Sequence, residues 1–244
     1  DEEVALAEQA FPKIEQSRAF VEQLVKENRA VYGITTGVGE LAHTLISLED
    51  VEKLQANLIR SHAVNVGVPY PQDVVRGMIL LRANALAKGY SGVRIELITR
   101  LLDLLNHRID PYIPSQGSVG ASGDLSPLAH LALVLIGEGE CLVDGQRVPS
   151  RTVLQKAGMT PIILGPKEGL ALINGTQAMS SFGCITVYQA ENLLKNAQIA
   201  SAISLEALLG TAKAFDAKIH AVRPHPGQIK CAETMRNLTQ DSAV

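Results

Sequence analysis

The chain has 244 residues, 46% of them hydrophobic, which suffices for one large domain or two small ones around a sizeable core. Its 22 Lys and Arg against 25 Asp and Glu leave a net charge of −3, so there is no basic footprint for nucleic acid or an anionic membrane surface. Aromatic residues make up 4% with no Trp, too few for a base-stacking surface, while the apolar content excludes a disordered chain.

In chain order the expected elements are mostly helical. Phe11 to Asn28 places Ile14, Phe20, Val21, Leu24 and Val25 between charges, the period of an amphipathic helix. Ser47, with Asp50 three positions on, reads as the cap of a second helix carrying Val51, Leu54, Leu58 and Ile59. Asp73 is expected to cap a third, through Met78, Ile79, Leu80 and Leu86 to Gly89. Glu96 to His107 repeats the pattern. Ser126 and Pro127 are expected to open a helix running to Gly137. Glu140 to Val148 alternates around Asp144-Gly145, the one clear β-hairpin signal. Thr176 to about Ala221 has no Pro and is apolar on most faces, which predicts one long helix buried in a bundle or at a subunit interface.

Cys141, Cys184 and Cys231 form no CxxC pair and no cluster with histidine, so neither a disulfide framework nor a metal site is expected. The longest apolar stretch, Leu128 to Ile136, is too short to span a bilayer, and the Asp-Glu-Glu start lacks the basic n-region of a signal peptide. A cytoplasmic protein is expected.

Three segments interrupt the helical pattern with Gly and small polar residues: Tyr32 to Gly39, Gln116 to Gly123, and Ile173 to Gln177. None contains Gly-Lys-Ser/Thr or GxGxxG, which argues against a nucleotide. Ala121-Ser122-Gly123 stands just before the expected helix start, facing its positive dipole end. If the Gly123 nitrogen attacks the Ala121 carbonyl carbon, a five-membered ring closes. Loss of two waters then leaves a methylidene derived from Ser122. The ring needs Gly at the third position for close approach and Ser in the middle for its leaving hydroxyl. The product, 4-methylidene-imidazol-5-one (MIO), is an electrophile.

The block Gly117-Ser-Val-Gly-Ala-Ser-Gly-Asp-Leu-Ser-Pro-Leu-Ala-His130 resembles the signature of the aromatic amino-acid ammonia-lyases, most of all the histidine enzymes. Supporting matches follow in the family's order at Tyr32-Gly-Ile-Thr-Thr-Gly37, Asn57 to His62, Ile173 to Gln177 and Arg223 to Gln228. The resemblance implies a mainly α fold: an elongated helical bundle, a Gly-rich active-site domain over 1–175 with the small hairpin, and the start of the central bundle over 176–244. It implies MIO formed autocatalytically from Ala121, Ser122 and Gly123, with no metal or nucleotide. Tyr32 matches the catalytic base, Asn174 the asparagine near the prosthetic group and substrate amine, and His62 the residue that senses the substrate side chain.

The implied reaction is non-oxidative deamination of L-histidine to trans-urocanate and ammonia, in a homotetramer whose active sites are shared between subunits. A tyrosine ammonia-lyase or tyrosine 2,3-aminomutase, or an inactive truncated helical assembly module, is the alternative. Family members are longer and continue into a Tyr-Ser-Leu-Arg-Cys-Gln-type loop and further helices. The arginine for the substrate carboxylate, a second tyrosine and a glutamate are expected there.

Overall fold

Apolar periodicity becomes helix along most of the chain in the computed structural model, which describes residues 2–47 and 50–242. Asp1, and Leu48 and Glu49 between Ser47 and Asp50, lie outside the described residues. The fold is mainly α, with two small two-stranded antiparallel sheets among the described residues. Two compact units emerge, Asp1–Gly183 and Cys184–Val244.

In the first unit, α1 (Phe11–Lys26) buries Ile14, Val21 and Leu24, the stripe its spacing predicts. Helix α2 (Val51–His62) starts one turn after Ser47. Ser47 and Asp50 bond each other, Ser47 Oγ accepting from the Asp50 N–H at 3.2 Å, and the helix begins beyond them. Helix α3 (Gln72–Ala87) begins one residue before Asp73, which is therefore inside the first turn and not its cap. It ends as expected at Gly89, whose φ is +76°. Helix α4 (Ile95–Asn106) packs on α3. Its Leu97, Ile98, Leu101 and Leu104 are fully buried, each side chain worth about 1.5–3 kcal/mol.

Helix α5 (Leu125–Leu135) opens at Asp124, two residues earlier than Ser126 suggests. Ser126 is diverted from capping: its Oγ–H donates to Asn65 Oδ1, and it accepts the Val64 N–H at 3.3 Å. The hairpin of β3 (Glu140–Val143) and β4 (Gln146–Pro149) forms with Asp144 and Gly145 both at positive φ, the two-residue turn their sequence calls for.

The other sheet pairs β1 (Val66–Pro69) with β2 (Pro114–Gln116), strands too short and too far apart in sequence to carry a local signal. Two short helices complete the unit, α6 (Ser150–Lys156) and α7 (Glu168–Ile173). Helix α7 packs against α2 and α5. The Gly169 N–H donates to Gln55 Oε1 at 2.8 Å, and a Cβ at Gly169 would meet the Gln55 carbonyl at 2.8 Å.

The long helix α8 (Gln177–Ala207) is shorter than its composition suggests. Leu209 turns left-handed at φ +52°, and the Gly210 N–H returns to the Leu205 carbonyl at 2.8 Å, closing a Schellman-type end. In the second unit a short 3₁₀ turn, α9 (Ala217–Ala221) and α10 (Pro226–Leu238) follow. Val187, Leu193, Leu194, Ile199 and Ile203 of α8 are all exposed in the single chain.

Candidate active site

The Gly-rich loop ahead of α5 is held in a conformation few residues adopt. Ser122 sits at φ +60° and Gly123 at +108°, the left-handed region that disfavours a side chain. The Ala121 N–H donates back to the Gly123 carbonyl at 3.1 Å, and the Val119 N–H donates to Asp124 Oδ1 at 3.0 Å. Ala121 and Ser122 remain exposed to an approaching molecule. Just beyond them, α5 presents its N-terminus.

The second support comes from far along the chain. The Asp124 N–H donates to the Gly175 carbonyl at 3.2 Å, and a Cβ at Gly123 would lie 1.9 Å from that oxygen. Only glycine fits there. Asn174, at the end of α7, turns its side chain to the same loop. With its amide oriented to suit its neighbours, Nδ2 donates to the Ala121 carbonyl at 3.0 Å and the Ser122 carbonyl at 3.1 Å. The four sequence-predicted residues Ala121, Ser122, Gly123 and Asn174 are thus brought into direct contact.

Tyr32 and His62 stand on neighbouring elements, and among the described residues their hydrogen bonds are local. Tyr32 is 56% exposed, its Oη accepting the Gly39 N–H at 3.3 Å. Its loop lies against α7: a Cβ on Gly33 would meet Leu170 Cδ2 at 2.5 Å. His62 ends α2, with Nδ1 2.8 Å from the Leu58 carbonyl and 3.0 Å from Ser61 Oγ. A proton on Nδ1 serves that carbonyl and leaves Nε2 as an acceptor. Three residues on, Asn65 is tied to α5, its N–H donating to His130 Nε2 at 3.1 Å. His130 is thereby a satisfied, half-buried group, as its apolar helix implies, and burial pushes its imidazole below the usual histidine range.

Two contributors went unread in the sequence. Gly175 supplies the carbonyl against Gly123. Arg82, on α3, is 5% exposed and reaches the end of α7. Its signal was available: Met78, Arg82 and Leu86 fall four apart on the buried stripe, so a charge is directed into the core.

The sequence and fold resemble those of known proteins. A family model for aromatic amino acid lyases matches residues 1–244. The chain belongs to the aromatic amino acid lyase family. Within it, the chain is 51% identical over 240 residues to a histidine ammonia-lyase of Alkaliphilus oremlandii, covering 98% of this chain and 47% of that protein. Among solved structures, histidine ammonia-lyase from Trypanosoma cruzi superposes with TM-score 0.86 at 41% identity, over 94% of this chain and 45% of that one. Tyrosine aminomutase from Streptomyces globisporus gives 0.90 at 40%, over 98% and 45%. This lyase-family chain spans about half the length of the curated relatives it matches.

Proposed function

We propose that this chain carries the electrophile-forming and base-bearing part of a histidine ammonia-lyase, which converts L-histidine to trans-urocanate and ammonia. The observation that carries the reading is the Asn174 amide donating to the Ala121 and Ser122 carbonyls of a left-handed Ala-Ser-Gly turn. The relatives of similar sequence named as histidine ammonia-lyases support it.

The residues present fit MIO. A hydrogen bond to the Ala121 carbonyl makes its carbon more electrophilic toward the Gly123 nitrogen, and the bare Cα of Gly123 is the only one the Gly175 carbonyl admits. Ring closure forms an N–C bond and expels the carbonyl oxygen as water. The Ser122 hydroxyl leaves with its α-hydrogen as the second water. Once formed, the group supplies an electrophile that turns the substrate amine into a better leaving group.

Three of this chain's own residues have assigned parts. Asn174 holds the loop and reaches the substrate amine. Tyr32 takes the β-proton as general base. His62 Nε2 accepts a hydrogen bond from a polar substrate side chain. A phenyl ring would leave that acceptor unpaired at a cost of roughly 1–3 kcal/mol, which selects against phenylalanine. The exposed apolar residues of α8 are assigned to subunit contacts in a homotetramer with shared active sites. Three free cysteines suit a cytoplasmic setting.

The likeness to tyrosine aminomutase favours a second reading, in which the substrate is L-tyrosine and the product its unsaturated acid or β-amino acid. A third, an inactive helical assembly module, predicts no turnover at all. Incubating the complete gene product with L-histidine, L-tyrosine and L-phenylalanine in parallel separates the three. Urocanate as the main product is expected. Preference for tyrosine, or any β-tyrosine, would replace the histidine assignment and leave the ring chemistry standing.

A further inference from the structure

Arg82 has no part in the chemistry above, yet its placement is costly. The residue is 5% exposed; among the described residues its Nε has no hydrogen-bond partner and the acceptors it reaches are all neutral. Burial pulls it down to about 10 from the usual arginine value. A cation removed from water without a countercharge must be compensated by geometry.

That geometry is specific. Nη2 donates to the Ala171 carbonyl, and Nη1 donates to the Asn174 carbonyl at 3.1 Å and to Gln177 Oε1 at 2.8 Å. Ala171 and Asn174 are the end of α7, and Gln177 is the first residue of α8. One rigid fork therefore spans the break between the two helices. Gly175, inside the break, allows the approach, since a Cβ there would lie 2.3 Å from Arg82 Nη1. The opposite side of the same short segment meets the loop, through the Asn174 amide and the Gly175 carbonyl. A simple C-terminal cap needs only the last carbonyls of one helix. This arginine also braces the start of the next.

We propose that Arg82 is a positioning residue for ring closure: by bracing residues 171–177 from behind, it holds the Asn174 amide against the Ala121 carbonyl that the Gly123 nitrogen attacks. This rests on the reading of Ala121-Ser122-Gly123 as the ring precursor. Arg82 touches neither substrate nor reacting atoms and acts through Asn174.

The test compares the complete gene product with its Arg82→Met, Arg82→Lys and Leu86→Ala variants. Lysine keeps the charge and loses the fork, so Arg82→Lys reports even where Arg82→Met does not fold. Leu86→Ala empties a buried site four residues along α3 and controls for lost stability. The first readout is the rate at which the peptide containing residues 121–123 becomes lighter by two waters. The second is hydrogen exchange at the Asp124 N–H, referred to the 140–149 hairpin.

Both Arg82 variants should close the ring roughly tenfold more slowly, the equivalent of one lost contact, and should exchange Asp124 faster. Leu86→Ala should melt earlier and close at the parental rate. Parental ring closure in the Arg82 variants, or equal slowing in Leu86→Ala, would overturn the proposal. Should the parent itself keep Ser122 unmodified, the ring reading fails instead. Exchange at Asp124 then decides the bracing role: faster in the Arg82 variants supports it, unchanged refutes it.

Discussion

Ser122 occupies a left-handed backbone conformation that costs energy and persists only where the surroundings impose it, and here the surroundings of its loop are Gly175 and Asn174. Gly123→Ala places a methyl where the Gly175 carbonyl already stands. Overpacking of this kind costs roughly 1–3 kcal/mol, so a lower melting temperature is expected together with an unmodified Ser122 by mass. Ser122→Ala should fold normally and never lose the two waters. Tyr32 differs, because its exposed ring carries little of the fold. Tyr32→Phe should shift stability by no more than about 0.5 kcal/mol, while turnover of the complete enzyme falls by ~10²–10⁴. Near-normal turnover in that variant would assign the proton to another group.

Helix α7 carries the asparagine, and Glu168 decides where it begins. This fully buried carboxylate accepts from Arg94 Nη2 at 2.7 Å, from the Arg94 N–H at 2.9 Å and from the Gly165 N–H at 2.7 Å. Burial alone would push its carboxyl up, but the Arg94 guanidinium and the two backbone donors hold it below the usual carboxylate range. A depressed acid contributes stability that is fully present above its unfolded value of about 4.3 and fades as pH falls through the folded one. Glu168→Gln should therefore destabilise at neutral pH, by about 3 kcal/mol since Arg94 is partly exposed, and should flatten the acid limb of a denaturation series.

His130 on α5 works in a higher window. Burial lowers its folded value, so its neutral form contributes stability above the unfolded value of about 6.5 that is lost as pH drops below it. Replacement by glutamine keeps an acceptor for the Asn65 N–H, and urea midpoints measured from pH 7 to 5 should then vary less than in the parent.

Across the whole molecule, the apolar residues left exposed on α8 are too many for a solvated helix. Leu194→Glu and Ile203→Glu put charges on that face. Sedimentation of the complete gene product should show smaller species for both, with deamination lost in proportion to the dissociated fraction. A monomeric parent with full activity would remove the shared-site assembly from the proposal.

Much of this molecule was legible before any coordinate. The amphipathic helices, the Asp144-Gly145 hairpin, the stop at Gly89 and the Ala-Ser-Gly block all depend on residues within a turn or two of each other, where period, left-handed turns and leaving groups are local properties. Helix starts were read less well: Ser126 is a good cap only if nothing distant competes for it, and Asp73 turns its carboxylate to the adjacent Val74 N–H inside the first turn. Asn65, sixty-one residues away, took the Ser126 hydroxyl. The end of α8 at Leu209 escaped notice for a related reason, since a leucine at positive φ carries no sequence signal. What joins positions 82, 121–124 and 174–177 is tertiary packing alone. Their contacts cross about fifty to ninety residues of chain, and no period or turn preference reaches that far. The sequence named the candidate residues; the packing of α3, α5 and α7 decides that Asn174 meets the Ala121 carbonyl, and that a buried arginine stands behind it.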